Sequence, residues 1–263
     1  MEEENCKNCN QIISGNYCSN CGQKKYSRID KKYILDQLQY TILHTDKGLL
    51  YSIKSIIKNP GKTAREFIEG KRKNQYNPIL LVSVLCGISV FLSLTVGEQN
   101  IVSDFYSDVN LNPTVAEDII TFTYNYMSVI MLFLIPFFAF FSKLSFRKWG
   151  HNYYEHVVMN SYILSLYLLL EIIIIFPITY IARNSLDLYY QIFGFAILII
   201  PIMLIWFFKG FYAQKTLKSI IGRVFVTVSL TIVGFVIFMV ILSLVFGIYF
   251  AINPEAAEYF VPQ

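Results

Sequence analysis

Five stretches of the chain are apolar for roughly the length needed to cross a bilayer: Pro78 to Val96, Tyr124 to Phe141, Val157 to Ala182, Leu188 to Phe208 and Val224 to Ile252. A helix of about 20 residues, rising ~1.5 Å at each, crosses ~30 Å of hydrocarbon. Within that slab every backbone N–H and C=O must find a partner inside the protein, which restricts a spanning chain to helices or closed barrels. The runs are continuously apolar and do not alternate, which excludes barrel strands. A mean hydropathy of +0.48 and a charged fraction of 15% agree, against about a quarter charged in soluble domains. The expected fold is therefore all-α and integral to a membrane, a five-helix transmembrane bundle over residues 78–252, with a last span long enough to tilt or to extend past the bilayer. The first 20 residues are polar and cysteine-rich, so no cleavable leader is expected and the first span acts as the insertion signal.

Orientation follows from the basic residues. Of 22 Lys and Arg, fourteen lie in residues 1–77, three (Lys143, Arg147, Lys148) between spans two and three, and four (Lys209, Lys215, Lys218, Arg223) between spans four and five; only Arg183 falls on the other side. The segment Gly97 to Thr123 carries Glu98, Asp104, Asp108, Glu117 and Asp118 with no base. The positive-inside rule then places the N-terminus in the cytosol and the tail, 253–263, outside.

Ahead of the membrane, Cys6, Cys9, Cys18 and Cys21 form C-x2-C-x8-C-x2-C. Each C-x2-C pair offers two thiolates from one tight turn, and two such turns close a tetrahedral site. Asn10 and Gly22 follow the second cysteine of each pair, where the turn needs a residue that tolerates positive φ. The alternatives are two disulfides or four unrelated thiols; the basic flanks put the segment in a reducing compartment and favour zinc. Four thiolates leave no open coordination position, so residues 1–26 read as a ribbon around a structural Zn2+. Cys86 lies inside the first span and reads as a small apolar residue.

Residues 27–77 link the two parts with helical periodicity. Ile34, Leu35, Leu38 and Ile42 make one apolar stripe, and Leu49, Leu50, Ile53, Ile56 and Ile57 a second. Thr45 or Asp46 can cap the second helix, His44 precedes that cap, and Asn59-Pro60-Gly61 ends the helix. A third helix is expected from a capping box at Thr63 to Glu66, closing at Gly70. The basic residues among them suit an anionic leaflet; packing of the apolar faces under the bundle, or on a second copy, is the other reading. A basic head also raises nucleic-acid binding, which is not expected, because the charge clusters toward the membrane as topology alone requires.

Several stretches resemble the bacterial domain-of-unknown-function family numbered 3667: Cys6-Lys-Asn-Cys9, Tyr17-Cys18-Ser-Asn-Cys21-Gly22-Gln23, Asp46-Lys-Gly48 through Asn59-Pro60-Gly61, Phe67-Ile-Glu-Gly70-Lys71-Arg72, Tyr76-Asn-Pro78 and Glu155-His156. The likeness runs from about residue 5 to about residue 165. It implies a zinc-ribbon-headed, multi-pass protein of the bacterial inner membrane and supplies no activity. Arg65, Lys71, Arg72 and Lys73 are the candidates for contact with lipid headgroups or a partner.

Inside the bilayer one acid matters. Glu171 falls near the middle of the third span, where a charge costs at least ~2.5 kcal/mol unless protonated or partnered. His156, Asn160, Tyr167 and Glu171 share one helix face, a polar stripe from the cytosolic mouth to mid-membrane. Helix packing accounts for such a stripe, and so does a proton, ion or substrate path. Pro136, Pro177 and Pro201 interrupt spans, as in some transporters, yet no internal repeat supports that fold class. Nucleotide, dinucleotide, zinc-protease and hydrolase-elbow motifs are absent. His151, Glu155 and His156 cluster at one mouth and carry the enzyme alternative. The leading expectation is a non-enzymatic scaffold or regulator whose ribbon docks a cytosolic protein, followed by a transporter of a small molecule, ion or lipid using the stripe, then a membrane-embedded enzyme.

Overall fold

The computed structural model describes residues 4–26, 28–34, 48–96, 112–183 and 185–253. A two-stranded antiparallel ribbon, β1 (Glu4–Asn5) and β2 (Ile12–Ile13), opens the chain with Glu4 opposite Ile13. Two short helices follow, α1 (Leu49–Lys58) and α2 (Pro60–Ile68). Five long helices come next: α3 (Pro78–Val96), α4 (Pro113–Phe146), α5 (Tyr153–Ala182), α6 (Leu186–Phe211) and α7 (Leu217–Ile252). All five are long and apolar enough to cross a membrane. Residues 31–34 are helical; the rest of the first amphipathic stripe, from Leu35, and the caps at Thr45 and Asp46 lie outside the described residues, as do His44, residues 97–111 and 254–263.

Three helices start on the same signal, Asn followed by Pro. The side chains of Asn59, Asn77 and Asn112 accept from the backbone N–H of Lys62, Ile79 and Thr114 at 2.9, 2.9 and 3.0 Å. Proline at the first helical position lacks only an N–H that would have no intrahelical partner, and its φ is preset for the helix. This moves the third amphipathic helix three residues upstream of the expected capping box. Thr63 sits inside α2, its hydroxyl donating to the carbonyls of Asn59 and Ser55 at 2.9 and 3.1 Å. It also lengthens the second span, which begins at Pro113 and not at Tyr124, so Glu117 and Asp118 sit near a helix N-terminus, where the dipole favours acids.

The centre of the bundle is α5. Its residues are buried on every side between Glu155 and Leu166, against α2, α3, α4 and α6, as expected for a helix apolar all round. α2 packs on protein: Pro60, Gly61, Ala64, Phe67 and Ile68 are buried against α5 and α6. α1 splits its apolar residues, with Ile56 buried and Leu50 79% exposed. At the other extreme, no residue in the most apolar window of α7 is buried, although Ile220, Val224 and Thr227 near its start are.

Candidate functional site

The head consists of two knuckles of one design, 12 residues apart. In the first, Cys6 N–H donates to the Gln11 carbonyl and Asn10 N–H to the Cys6 carbonyl, at 2.8 and 2.9 Å; in the second, Cys18 bonds Gln23 and Gly22 bonds Cys18, both at 2.8 Å. Asn10 and Gly22 take the positive φ these turns require, 61° and 72°. The Sγ atoms all lie within 4.8 Å of one another, with Cys6 to Cys21 at 3.6 Å and Cys9 to Cys18 at 3.5 Å. A disulfide needs about 2.05 Å, so these are free thiols. An ion with four ~2.3 Å bonds to sulfur has tetrahedral edges a little under 4 Å, and the donor set fits. The four cysteines could hold one metal ion.

The second knuckle is fastened to the membrane domain. Gln23, buried, donates its amide to the Gly70 carbonyl and accepts at Oε1 from the N–H groups of Arg72 and Lys73 at 3.2 Å. Gly70 has φ 110°, and a Cβ there would fall 2.6 Å from the Tyr26 ring, so only glycine admits this contact. Arg72 turns inward: its guanidinium lies 4.4 Å from the Tyr33 ring centroid and 5.5 Å from those of Tyr26 and Phe67, and Nε donates to the Phe67 carbonyl at 2.9 Å. Lys71 pairs with Glu66 at 3.2 Å and Arg65 reaches the Phe211 carbonyl at 3.4 Å. Of the four basic candidates, the side chains of Lys71 and Lys73 are the ones exposed.

A second tie was not singled out from the sequence. Arg28 makes a two-pronged pair with the buried carboxylate of Glu155, Nε to Oε1 at 2.8 Å and Nη2 to Oε2 at 3.2 Å, and adds the Gly150 carbonyl at 3.1 Å. Glu155 also closes a capping box at the start of α5, accepting from Asn152 N–H while Asn152 Oδ1 accepts from Glu155 N–H, both at 2.8 Å. Asn152 Nδ2 donates to the Ile29 carbonyl at 2.9 Å. The carboxylate raises the Arg28 pKa further.

The polar stripe divides into two islands. His156 Nδ1 lies 3.0 Å from Ser142 Oγ, and Asn160 Nδ2 donates to the same oxygen at 2.8 Å. Toward mid-membrane, Glu171 Oε2 accepts from Ser89 Oγ of α3 at 3.2 Å. Ile163 and Leu164, on the same face between the pairs, are apolar and buried. Glu171 opens a π-helical turn, Glu171–Ile175, and with Tyr167, Ile199 and Met203 lines a cavity of about 50 Å³ between α5 and α6, room for a few waters at most.

At the head-side mouth, His151 Nδ1 lies 3.2 Å from Tyr212 Oη, and burial pushes the His151 pKa below the usual value and the Tyr212 pKa above it. The rings of His151 and His156 are 6.5 Å apart, and Glu155 is engaged by Arg28. Among the described residues only the four cysteines bring three or more such ligands together.

No curated protein and no solved structure matches the chain. Residues 46–90, which build α1, α2 and the first part of α3, match the family described as protein of unknown function (DUF3667), the family that the sequence motifs resemble.

Proposed function

We propose that the protein is a non-enzymatic scaffold or regulator of a bacterial inner membrane, with a structural zinc ion folding a cytosolic head that docks a protein partner. The observation that carries this reading is the attachment of the second knuckle through Gln23. A rigid, membrane-fixed knuckle presents a surface at constant height and angle, which is what a docking platform requires. Ile12 and Tyr17 on the head are 50% and 61% exposed, apolar anchors of the kind partners cover. The positive-inside count supports the cytosolic side. Replacing Cys6 and Cys9 with serine should remove a co-purifying protein while the bundle still inserts; an unchanged set of partners after metal loss would refute the proposal.

Glu171 favours a second reading, transport of a proton or small cation. A carboxyl at mid-membrane, on a π turn beside a small cavity, combines features that mark functional sites. In proteoliposomes, Glu171→Gln should then abolish a pH-dependent flux; an undiminished flux would leave Glu171 a packing group bonded to Ser89.

A further inference from the structure

The turn Arg147–Trp149 after α4 and the start of α7 bring five cations together at one corner of the head-side face. Lys215 Nζ and the Arg223 guanidinium lie 5.4 and 5.7 Å from the centroid of the single Trp149 ring. Arg223 also donates to the Ser145 carbonyl, which holds it at the seam between α4 and α7. Arg147 and Lys148 precede the tryptophan, and Lys218 lies in the first turn of α7; all three are exposed. Among the described residues none of the five has a carboxylate within ion-pair distance, whereas Arg28 and Lys71 do.

The surface below this corner changes character abruptly. Phe140 and Leu144, one turn apart on α4, are 54% and 40% exposed, and Ile221 and Phe225, one turn apart on α7, are 44% and 72% exposed. Phe140 and Phe225 belong to the apolar runs of spans two and five, and Leu144 and Ile221 lie within three residues of those runs, where the hydrocarbon layer is expected to begin. A molecule matching both zones carries an anionic head and an apolar body. A free phosphate would leave the apolar strip unused, and an acidic protein segment could not follow it into the bilayer. Trp149 is half-buried at the level where indole rings favour the interface, and basic pockets between spans suit phospholipid headgroups.

We propose that this corner is a binding site for an anionic phospholipid of the head-side leaflet, its phosphodiester held by Lys215, Lys218 and Arg223 beside Trp149 and its acyl chains lying along α4 and α7. The site is separate from the metal knuckles and from Glu171.

The test uses full-length protein in neutral detergent, with phosphatidylglycerol or phosphatidylcholine added and bound lipid counted by native mass spectrometry. Wild type should retain phosphatidylglycerol in preference, and K215Q/K218Q, which alters two exposed side chains, should lower that retention on the order of 10-fold. A control pair in α1, K54Q/K58Q, should leave it unchanged. Equal retention of the two lipids, or no difference between wild type and K215Q/K218Q, would overturn the proposal. Displacement by millimolar inorganic phosphate would overturn it too, since the site would then take a free anion.

Discussion

At the scale of single residues, the side chains that hold the head in place are those the sequence marks least. Arg28 is one of fourteen basic residues before the first span, and its partner lies 127 positions away; no local pattern connects them. Gln23 is uncharged, and beyond its place at the end of the second cysteine motif its signal is the 12-residue repeat that sets it opposite Gln11. The cysteines, by contrast, were legible down to the positive φ at Asn10 and Gly22, because that chemistry is local. In the Arg28–Glu155 pair, Arg28 is 59% exposed and Glu155 5%, so water screens one partner only. A double-mutant cycle of Arg28→Ala and Glu155→Gln should give a coupling of about 1–2 kcal/mol, below the ~3–5 of a fully buried pair. Glutamine can keep the capping-box contact to Asn152, which isolates the charge; a coupling near zero would show that the backbone contacts alone hold the segment. His151 sets a pH dependence. Burial, aided by Arg28 and Lys143 and opposed by Glu155, lowers its pKa below the ordinary 6.5. Below that pH the unfolded chain binds a proton that the native imidazole does not, so stability falls as pH drops through about 6.5 and continues to fall toward the native pKa. Thermal unfolding in detergent from pH 8 to 5 should show this loss, and His151→Gln should flatten it; identical slopes would assign the titration elsewhere.

At the scale of elements, the five spans were legible because a bilayer demands length and continuous apolarity, and both are written in composition. Both ends of α3 and the last residues of α5 and α7 fell where the apolar runs stop, but other ends did not. Pro113 starts α4 eleven residues before the apolar run that announced it, because an Asn-Pro cap can extend a helix into water, where hydropathy falls silent. The same cap placed α2, and Asn59-Pro60-Gly61 serves as both the end of α1 and the start of α2. Hydrophobic periodicity marked an apolar face on these helices without saying whether lipid or protein covers it. The deciding residues are two glycines. A Cβ on Gly61 would lie 2.0 Å from the Phe207 carbonyl oxygen and 2.4 Å from Phe211 N, and one on Gly210 would lie 2.5 Å from Asn59 Oδ1. The backbones of α2 and α6 therefore touch, an approach that only small residues permit. Gly61→Ala should force them apart at a cost of about 3 kcal/mol, visible as a lower midpoint of thermal unfolding and as faster hydrogen exchange across α2. Gly87→Ala is the comparison: nothing lies within 4 Å of a Cβ there, so alanine should be neutral or slightly stabilising. Equal effects at the two sites would mean that α2 does not depend on its contact with α6.

At the scale of the whole molecule, two parts with different sources of stability meet at one face. Composition separates them, but the sequence says nothing of their contact, because the groups that make it are backbone amides and carbonyls, Gln23, Asn152, the Arg72 guanidinium beside Tyr26 and one ion pair. The head has almost no core: Cys6, Ile13 and Cys18 are its buried apolar cluster, with Cys9 and Cys21 packed against them. A segment this small cannot offset its chain entropy by apolar burial, so an ion held by the four thiolates would contribute most of its folding free energy. The bundle needs no such help, since Tyr162, Phe207, Phe208 and Met159 are fully buried in a separate cluster that runs from Ile29 and α1 to α7. Removing the metal with a chelator should therefore unfold residues 4–23 and spare the spans. Between the two lies Gln23, which belongs to the second knuckle by its backbone and to the bundle by its side chain. Once the Cys18 to Gly22 turn opens, its amide can no longer be aimed at Gly70, and the N–H groups of Arg72 and Lys73 lose their acceptor. Hydrogen exchange should then rise in the knuckles and, as a secondary effect, at residues 70–73, while the amides of α5 keep their protection. Loss of protection throughout α5 would mean that the head and the bundle fold as one cooperative unit; unchanged exchange at Arg72 and Lys73 would mean that Gln23 holds its place without the ion.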